Sequence, residues 1–448
     1  MELYEKTLVE LMRDMSNKKI TSEDVVISHI SRCKNVDGAL KAFEEYDFEY
    51  VLNEAKKIDK DCYAYSMKFK GIPIGVKDCY NTERMHTRRG SELYKNYTAG
   101  NDARIIRKVR DEGALILGKT KTAEFSVHHP ADTVNPYDKK HTPGTSSGGS
   151  AVAVASGMVP LSFGTQTAAS TSKPASYCGI YGFKPTFGVF PRTGVLKTSD
   201  TLDTLSIFAR NIEDMEYAFE NLRLKGEDYP YIYNNMDIKK YKKSDDSFKV
   251  ALIMSDAFKG KHEYAKKALM SLKDELEGVN DLKIEIINMP DFLSRARDIH
   301  SKIYNKSLSY YFKNEYKTHS DKLSVSIKNM INDGNKISLN EYLALLNEQK
   351  MLVKKFDSWM SENYDVVLTL ASGGEAPKGL VFADKLDSTL IWTLLGAPTL
   401  IVPKFKGPNN LPFGFQIIGV KYSDYMVIEF AKKLKQLGVI VDSLVVDI

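Results

Sequence analysis

The feature that most constrains this sequence is a stretch of small residues at positions 143–188. The stretch is rich in Gly, Ser, Thr and Ala, carries few charges, and contains an apolar run at residues 151–159. Small side chains allow backbone segments to approach one another closely. A flexible Gly/Ser linker would lack the apolar run. The stretch therefore predicts a tightly packed site within a folded domain.

Apolar segments typical of strands alternate along the chain with segments of helical spacing. The strand pattern occurs at residues 71–77, 115–117, 249–254, 282–288, 366–370, 399–402 and 413–418. The helical pattern occurs at residues 4–34, 101–112, 262–277, 290–360 and 424–436, and Thr21 or Ser22 begins the second of two N-terminal helices. This alternation predicts an α/β fold. Because no convincing linker interrupts it, we expect one domain over residues 1–448.

Composition and charge narrow the class of protein. The chain has 448 residues, of which 43% are hydrophobic, enough for a large core. The net charge is +5, and the lysine-rich residues 239–243 are followed by Asp245 and Asp246. Alternating charges of this kind indicate a solvated surface, so we predict that the chain does not bind nucleic acid.

The cysteines and the N-terminal residues bear on location. Cys33, Cys62, Cys79 and Cys178 are scattered, without the spacing of a disulfide framework or a zinc site. The first residues do not have the pattern of a signal peptide. No segment approaches the roughly 20 apolar residues that span a bilayer. These observations predict a cytoplasmic protein with free thiols and no membrane contact.

Two serine-containing loops carry the candidate chemistry. Residues 144–150 read Gly-Thr-Ser-Ser-Gly-Gly-Ser and precede a run that is typical of a helix. Backbone N–H groups in such a loop can bind negative charge, but the spacing and lysine of a phosphate-binding loop are missing. Residues 164–170 read Gly-Thr-Gln-Thr-Ala-Ala-Ser, which places small residues before Ser170. A serine beside exposed N–H groups is what acyl transfer requires.

The base that would activate such a serine has two candidate types. His128, His129 and His141 lie nearby in sequence and leave a Ser-His-Asp triad open. The chain lacks the G-x-S-x-G elbow, however, which favours a different base.

Residues 143–188 closely resemble the signature of the amidase signature family. They contain G-x-S-S-G-G-S, G-T-x-T-x-x-S, Pro174, Cys178-Gly179 and the block at residues 182–186. Further blocks in the expected order lie at residues 71–78, 117–120, 135–136, 392–398 and 412–419. Gln166 makes the chain similar to a subgroup that writes G-T-Q-T. The resemblance covers nearly the whole chain and is thinnest at residues 225–360.

The resemblance implies a fold and a mechanism. The fold is a central mixed β-sheet flanked by helices, with a signature core at about 70–210 and a more variable, mainly helical region at about 290–360. The mechanism is a Ser-cisSer-Lys triad, in which Ser170 attacks the amide, Ser146 relays the proton from its place after a cis peptide bond, and Lys77 is the base. An acyl-enzyme forms on Ser170, and neither metal nor cofactor takes part. A lysine base must be neutral, which burial among the apolar residues 72–76 would favour.

Several residues of the candidate site depart from the family pattern. The usual Asp is Gln166, the usual Gly-Gly is Ala168-Ala169, and Thr145 replaces a frequent Gly. The backbone N–H groups survive these changes, so an oxyanion hole at Thr167, Ala168, Ala169 and Ser170 is expected.

The cation that follows the nucleophile is also unusual. Lys173 lies where the family has an arginine, and it either pairs with a substrate carboxylate or is a structural or surface lysine. Gln166 and Lys173 complete the predicted set of oxyanion-hole and substrate-binding residues.

The predicted activity is hydrolysis of a linear carboxamide in a small-molecule substrate, with a homodimer as the default assembly. A second hypothesis is the glutamine-hydrolysing subunit of a tRNA-dependent amidotransferase, for which the chain looks short. A non-catalytic scaffold that kept the fold is a third hypothesis. An esterase is a fourth, since acyl-enzyme chemistry also accepts esters.

Overall fold

A computed structural model describes residues 2–61, 66–238, 247–254, 263–380 and 389–448. Cys62, His262 and the charged run at residues 239–246 lie outside the described residues.

The N-terminal residues form two capped helices, α1 (Leu8–Ser16) and α2 (Ser22–Leu40). The Thr21 hydroxyl accepts the N–H of Asp24, and the Asp24 carboxylate accepts the N–H of Thr21. This reciprocal capping satisfies two N–H groups that the first turn leaves free. It confirms the predicted start of the second helix.

Eleven strands of the described residues form one sheet. They are β1 (Phe43–Tyr46), β2 (Pro73–Lys77), β3 (Leu115–Thr120), β4 (Leu161–Gln166), β5 (Tyr181–Lys184), β6 (Thr204–Ala209), β7 (Phe248–Met254), β8 (Leu282–Asn288), β9 (Val366–Leu370), β10 (Thr399–Lys406) and β11 (Pro412–Ile418). Their order across the sheet is β1-β3-β2-β4-β6-β5-β10-β11-β9-β7-β8. β2 is parallel to both β3 and β4, whereas β4 and β6 are antiparallel. The sheet is therefore mixed, as predicted.

The remaining helices connect these strands and cover the sheet. They are α3 (Phe48–Lys60), α4 (Arg104–Asp111), α5 (Gly148–Ala155), α6 (Ser172–Tyr177), α7 (Ile212–Leu222), α8 (Pro230–Ile232), α9 (Glu263–Leu276), α10 (Ala296–Tyr311), α11 (Lys313–Thr318), α12 (Val325–Asn335), α13 (Leu339–Asn363), α14 (Thr389–Leu394) and α15 (Asp424–Gln436). Short 3-10 turns lie at Leu3–Glu5, Glu92–Tyr94, Glu124–Ser126, Asp291–Leu293 and Ser320–Lys322, and a π-helical turn lies at Tyr233–Ile238.

The core lies on both faces of the sheet. Along β7, Val250 and Leu252 join the apolar cluster that packs against α1, α4, α7, α9 and α15. The alternate residues Ala251 and Ile253 join the cluster that packs against α10, α12, α13 and α14. Side chains of a strand point to opposite faces in turn, so this division places helices on both sides. The α/β fold with a large mixed sheet flanked by helices is confirmed.

One strand differs from the prediction at a glycine. The pattern ends a strand at Gly118, but β3 continues to Thr120. Gly118 lies against β1, where a Cβ atom would meet the Glu45 carbonyl oxygen at 2.4 Å. The glycine thus permits close strand pairing instead of ending the strand. Within the described ranges, no helix is both long and apolar enough to cross a membrane.

Candidate active site

Lys77 lies at the carboxyl end of β2, in the interior of the protein. Its side chain is completely buried, and β3 and β4 flank its strand on either side. The turn before α5 and the end of β4 bring their hydroxyl groups to the same edge of the sheet. The carboxyl ends of parallel strands are a common place for functional sites.

Three hydroxyl groups surround the Lys77 ammonium. Nζ lies 2.7 Å from Ser146 Oγ, 3.0 Å from Ser147 Oγ and 2.7 Å from Thr165 Oγ1. Ser147 in turn donates its proton to the Thr165 carbonyl oxygen at 3.1 Å. The Ser146 hydroxyl has no such second contact among the described residues. Of these two serines, Ser146 is therefore the one whose proton is free to move to the lysine.

The electrostatics of Lys77 favour release of its proton. Burial lowers the pKa of Lys77 to about 8, while the more distant Cys79 and Asp203 oppose this shift. Burial lowers the pKa of Lys119 on the neighbouring strand as well, but there the Asp78 carboxylate, 3.1 Å from Nζ, opposes the shift. Lys77 contacts hydroxyls where Lys119 contacts a carboxylate. It is therefore the better candidate for a neutral base.

Thr145 precedes Ser146 in the chain and contacts Ser170 through its side chain. The peptide bond between Thr145 and Ser146 is trans, as are all those of the described residues, whereas the resemblance implies a cis bond there. The trans form is lower in energy by about 3–4 kcal/mol for a non-proline residue, and Ser146 reaches Lys77 from it. Ser170 Oγ accepts a hydrogen bond from Thr145 Oγ1 at 3.3 Å and is not bonded to Ser146 in the described structure.

The histidines near the signature do not complete a triad with Ser170. His141 Nδ1 lies 3.1 Å from the Asp138 carboxylate. The hydrogen bond to the Ser170 hydroxyl comes from Thr145. Among the described residues, the Ser-His-Asp triad is therefore not formed.

The carbonyl groups before Ser170 are all hydrogen bonded. His300 Nε2 lies 2.8 Å from the Thr167 oxygen, and the Thr393 hydroxyl donates to the Ala168 oxygen at 3.0 Å. The Ala169 oxygen accepts the N–H of Lys173 at 3.1 Å. We call residues 167–171 the nucleophile loop.

Three consecutive N–H groups of the same loop, at residues 168–170, remain open. In the described part of the chain, the N–H groups of Ala168, Ala169 and Ser170 have no acceptor. Ala169 and Ser170 are 4% and 9% exposed. Buried N–H groups normally have partners. Three open ones next to a serine hydroxyl are an arrangement that can bind an oxyanion.

Gln166 uses both ends of its amide to brace the nucleophile loop. Its oxygen accepts the N–H groups of Thr171 and Ser172 at 2.9 and 3.0 Å. Its nitrogen donates to Thr393 Oγ1 at 3.0 Å. The aspartate that is usual here could accept in the same way but could not donate as a carboxylate. Glutamine at position 166 can therefore donate to the Thr393 hydroxyl, which an aspartate carboxylate could not do.

Asp203 is a second brace, which the sequence prediction missed. Its carboxylate accepts the Thr167 hydroxyl at 2.7 Å, the Thr198 hydroxyl and N–H, both at 2.7 Å, and the Ser199 N–H at 2.9 Å. A cavity of about 30 Å³ between Cys79, Thr165 and Asp203 has room for ordered water.

Lys173 lies in α6 and is 4% exposed, so it is not a surface lysine. The residue has a further interaction within the protein. Whether it pairs with a substrate carboxylate stays a prediction.

The sequence prediction also missed Ser147, Thr165, His300 and Thr393 as contacts of the site. Ser147, Thr165 and Thr393 stand in blocks of the family resemblance, whereas His300 lies outside all of them. Among the described residues, no cluster of three or more His, Cys, Asp or Glu side chains could hold a metal ion. Cys33, Cys79 and Cys178 are buried free thiols.

Comparisons with known proteins agree on the fold. A glutamyl-tRNA(Gln) amidotransferase A subunit from Sulfolobus acidocaldarius is 27% identical over 471 residues, which cover 96% of this chain and 98% of the relative. The native peptide amidase from Stenotrophomonas maltophilia superposes with a TM-score of 0.82 at 21% identity, over 99% of both chains. The glutamyl-tRNA(Gln) amidotransferase A subunit from Thermotoga maritima superposes with a TM-score of 0.77 at 24% identity, over 97% of this chain and 95% of that chain.

The relatives correct two expectations. The chain covers 98% of the Sulfolobus protein, so it is not too short for that class of protein. The prediction that a small-molecule amide is the sole partner, with no nucleic acid and a homodimer as the assembly, is wrong, because relatives that match end to end are each named as one subunit of an enzyme named for a tRNA.

The class of reaction follows at a coarse level. The family model that matches the chain is described as Amidase, and the relatives are named as amidotransferase subunits. The chain is thus an enzyme that acts on C–N bonds, as a hydrolase or as part of an amidotransferase. A family model described as Amidase matches residues 24–428, and the chain therefore belongs to the Amidase family.

Proposed function

We propose that the chain cleaves a carboxamide through an acyl-enzyme on Ser170, with Lys77 as the base. The observation that carries this proposal is the hydroxyl-lined Lys77, taken together with the open N–H groups of Ala168, Ala169 and Ser170 itself. A buried lysine with a pKa near 8 has a substantial neutral fraction at physiological pH. The open N–H groups supply the charge stabilisation that acyl transfer needs.

The proton moves in two steps. Neutral Lys77 accepts the Ser146 proton, and Ser146 accepts the Ser170 proton as Ser170 Oγ attacks the carbonyl carbon. Ser146 and Ser170 come into contact through a change of side-chain rotamer, since catalytic hydrogen bonds often tighten only when substrate is bound. The C–N bond then breaks, and the leaving nitrogen takes the proton back along the same path. Water attacks the acyl-enzyme in the same manner and releases the acid.

We further propose that the amide is a primary carboxamide of the glutamine type and that the chain works as the ammonia-releasing subunit of a tRNA-linked amidotransferase. The end-to-end match to proteins named as amidotransferase A subunits supports this choice over an amidase that acts alone. A cytoplasmic location stays a prediction.

Ammonia release from glutamine tests the reaction, with asparagine and a panel of linear amides as comparison substrates. We expect the wild-type chain to release ammonia from glutamine. The Ser170→Ala variant should release none, although its melting temperature should be unchanged. Turnover by Ser170→Ala at the wild-type rate would exclude Ser170 as the nucleophile.

Purification of the tagged chain from its own cells tests the assembly. We expect a second, different protein chain to copurify and to raise the glutaminase rate. A chain that purifies alone and turns over linear amides but not glutamine would contradict the amidotransferase proposal while leaving the serine chemistry intact.

A further inference from the structure

We propose that His300 and Thr393 form a carbonyl clamp, which sets the direction of the N–H groups of the oxyanion hole. This inference rests on the proposed serine chemistry and adds two positioning residues to it. His300 belongs to α10, in the helical region where the family resemblance is thinnest. Thr393 belongs to α14.

The planarity of the peptide bond makes the clamp effective. In a trans peptide, the carbonyl oxygen of one residue and the N–H of the next point in opposite directions from one rigid plane. The His300 contact with the Thr167 oxygen therefore directs the N–H of Ala168. The Thr393 contact with the Ala168 oxygen directs the N–H of Ala169 in the same way.

The loop has no other regular structure to fix these planes. It lies between the end of β4 and the start of α6, outside any strand or helix. Alanines at positions 168 and 169 carry no polar side chain that could hold the turn. The two clamp contacts are thus what orients the first two peptide planes after Thr167.

His300 is built into this position by its helix. It is 2% exposed, and Ser307, seven residues later on α10, contacts the Ser199 hydroxyl at 3.3 Å. Ser199 is held by Asp203, which also binds the Thr167 hydroxyl. Residues seven apart lie on one face of a helix. One face of α10 therefore docks against both loops that border the site.

The partner of the histidine places a proton on one of its two ring nitrogens. A carbonyl oxygen only accepts hydrogen bonds, so Nε2 of His300 must carry a proton. Thr393 is directed similarly: its hydroxyl accepts from Gln166 Nε2 and so turns its own proton toward the Ala168 oxygen.

The rate at which a fluorophosphonate probe labels Ser170 tests the clamp, because the phosphoryl oxygen of the probe needs the oxyanion hole. We expect His300→Leu to lower the second-order labelling constant about 10- to 100-fold, less than the loss of a whole donor. His300→Gln keeps an N–H donor of similar reach and should restore labelling to within about threefold of wild type.

Thr393 provides an independent pair of variants. Thr393→Val removes the hydroxyl and should slow labelling, whereas Thr393→Ser keeps the hydroxyl and should not. If His300→Leu fails to fold, this pair still tests whether the carbonyl contacts orient the N–H groups of the oxyanion hole.

His29 is the matched control. It belongs to α2, lies outside the site and is fully buried. Its Nδ1 lies 3.1 Å from the Gly157 carbonyl oxygen. His29→Leu should lower the melting temperature and leave the labelling constant per folded molecule unchanged.

The outcomes separate the clamp from the proposed function. Labelling of wild type at Ser170 together with an equally fast His300→Leu would overturn the clamp and leave the serine chemistry standing. Failure of His300→Gln to restore labelling would also overturn it. Absence of labelling in wild type would overturn the proposed function and the clamp with it.

Discussion

At the scale of single residues, the chemistry depends on the contacts of Lys77, which are with hydroxyl groups and not with a carboxylate. Lys119 and Lys77 are both fully buried, but Asp78 stabilises the charge on Lys119 while only hydroxyls meet Lys77. A buried ammonium without a carboxylate tends to lose its proton. The hydroxyl shell can hydrogen bond both the charged and the neutral amine, which suits a base that cycles between them.

The rate of amide hydrolysis should rise with pH through the titration of Lys77. The neutral form is the active base, and burial lowers the pKa of Lys77 to about 8. Between pH 7 and pH 9 the neutral fraction, and with it kcat/KM, should therefore increase about tenfold. A pH–rate profile measures this, and a flat profile across that range would argue against a lysine base.

Ser146 and Ser147 both touch Lys77 but should differ in importance. Ser146→Ala removes the free proton carrier, and kcat should fall about 10²- to 10⁴-fold. Ser147→Ala serves as the control, because that hydroxyl already donates to the Thr165 oxygen, and the loss should stay within about tenfold. Steady-state kinetics on the same amide measure kcat for both variants. Equal losses of kcat would contradict a relay through Ser146.

The sequence accounts for some of these residues and not for others. The family resemblance pointed to Lys77 and Ser146, which lie 69 residues apart in the sequence, and the structure places the two side chains in contact. It gave no sign that Ser147 and Thr165 complete the shell, because serines and threonines abound in the signature and only the folded turn selects among them. The trans bond before Ser146 likewise required the structure.

At the scale of elements, the site depends on how closely α5 and β3 approach their neighbours. Strands such as β7, β8 and β9 were predictable, since their apolar runs are continuous. The role of Gly118 was not predictable from the sequence. A glycine that ends a strand and a glycine that permits close strand pairing look alike in a sequence. The contact of α10 with the nucleophile loop joins residues 133 apart through a backbone carbonyl, for which no side-chain pattern exists.

Gly149 should be essential to the placement of α5. A Cβ there would lie 2.5 Å from the Ala42 oxygen and 2.6 Å from the Lys121 oxygen, both backbone atoms. Gly149→Ala should therefore lower the free energy of unfolding by about 1–3 kcal/mol or more, as measured by urea denaturation.

Gly38 is the control for that substitution. It is exposed in α2, and an added Cβ meets no atom within 4 Å. Gly38→Ala should raise the free energy of unfolding by about 0.5–1 kcal/mol, since alanine favours helix. A Gly149→Ala protein as stable as wild type would show that α5 can shift without cost.

At the scale of the whole molecule, chain segments far apart in sequence are joined at the edges of the fold. Val446 donates its N–H to the Ala155 oxygen at the end of α5, and Arg32 of α2 donates to the Val446 oxygen at 2.9 Å. Ser443 donates its N–H to the Arg210 oxygen at 2.8 Å. Residues 443–446 thus tie α2, α5 and the end of β6 together.

Deletion of residues 443–448 should destabilise the protein without touching the site. Three hydrogen bonds are lost, and at about 0.5–1.5 kcal/mol each the free energy of unfolding should fall by about 1.5–4.5 kcal/mol. Urea denaturation measures the loss. Leu444→Ala is the control, because that side chain is 84% exposed and its removal should change stability by less than about 0.5 kcal/mol.

The central claim is that Ser170 is the nucleophile and that Lys77 activates it. The most direct measurement is mass spectrometry of the chain after treatment with a fluorophosphonate, followed by mapping of the adduct to a peptide. We expect one adduct, on Ser170, and little or none in a folded Lys77→Ala variant. An unlabelled wild-type chain, or an adduct on another serine, would contradict it.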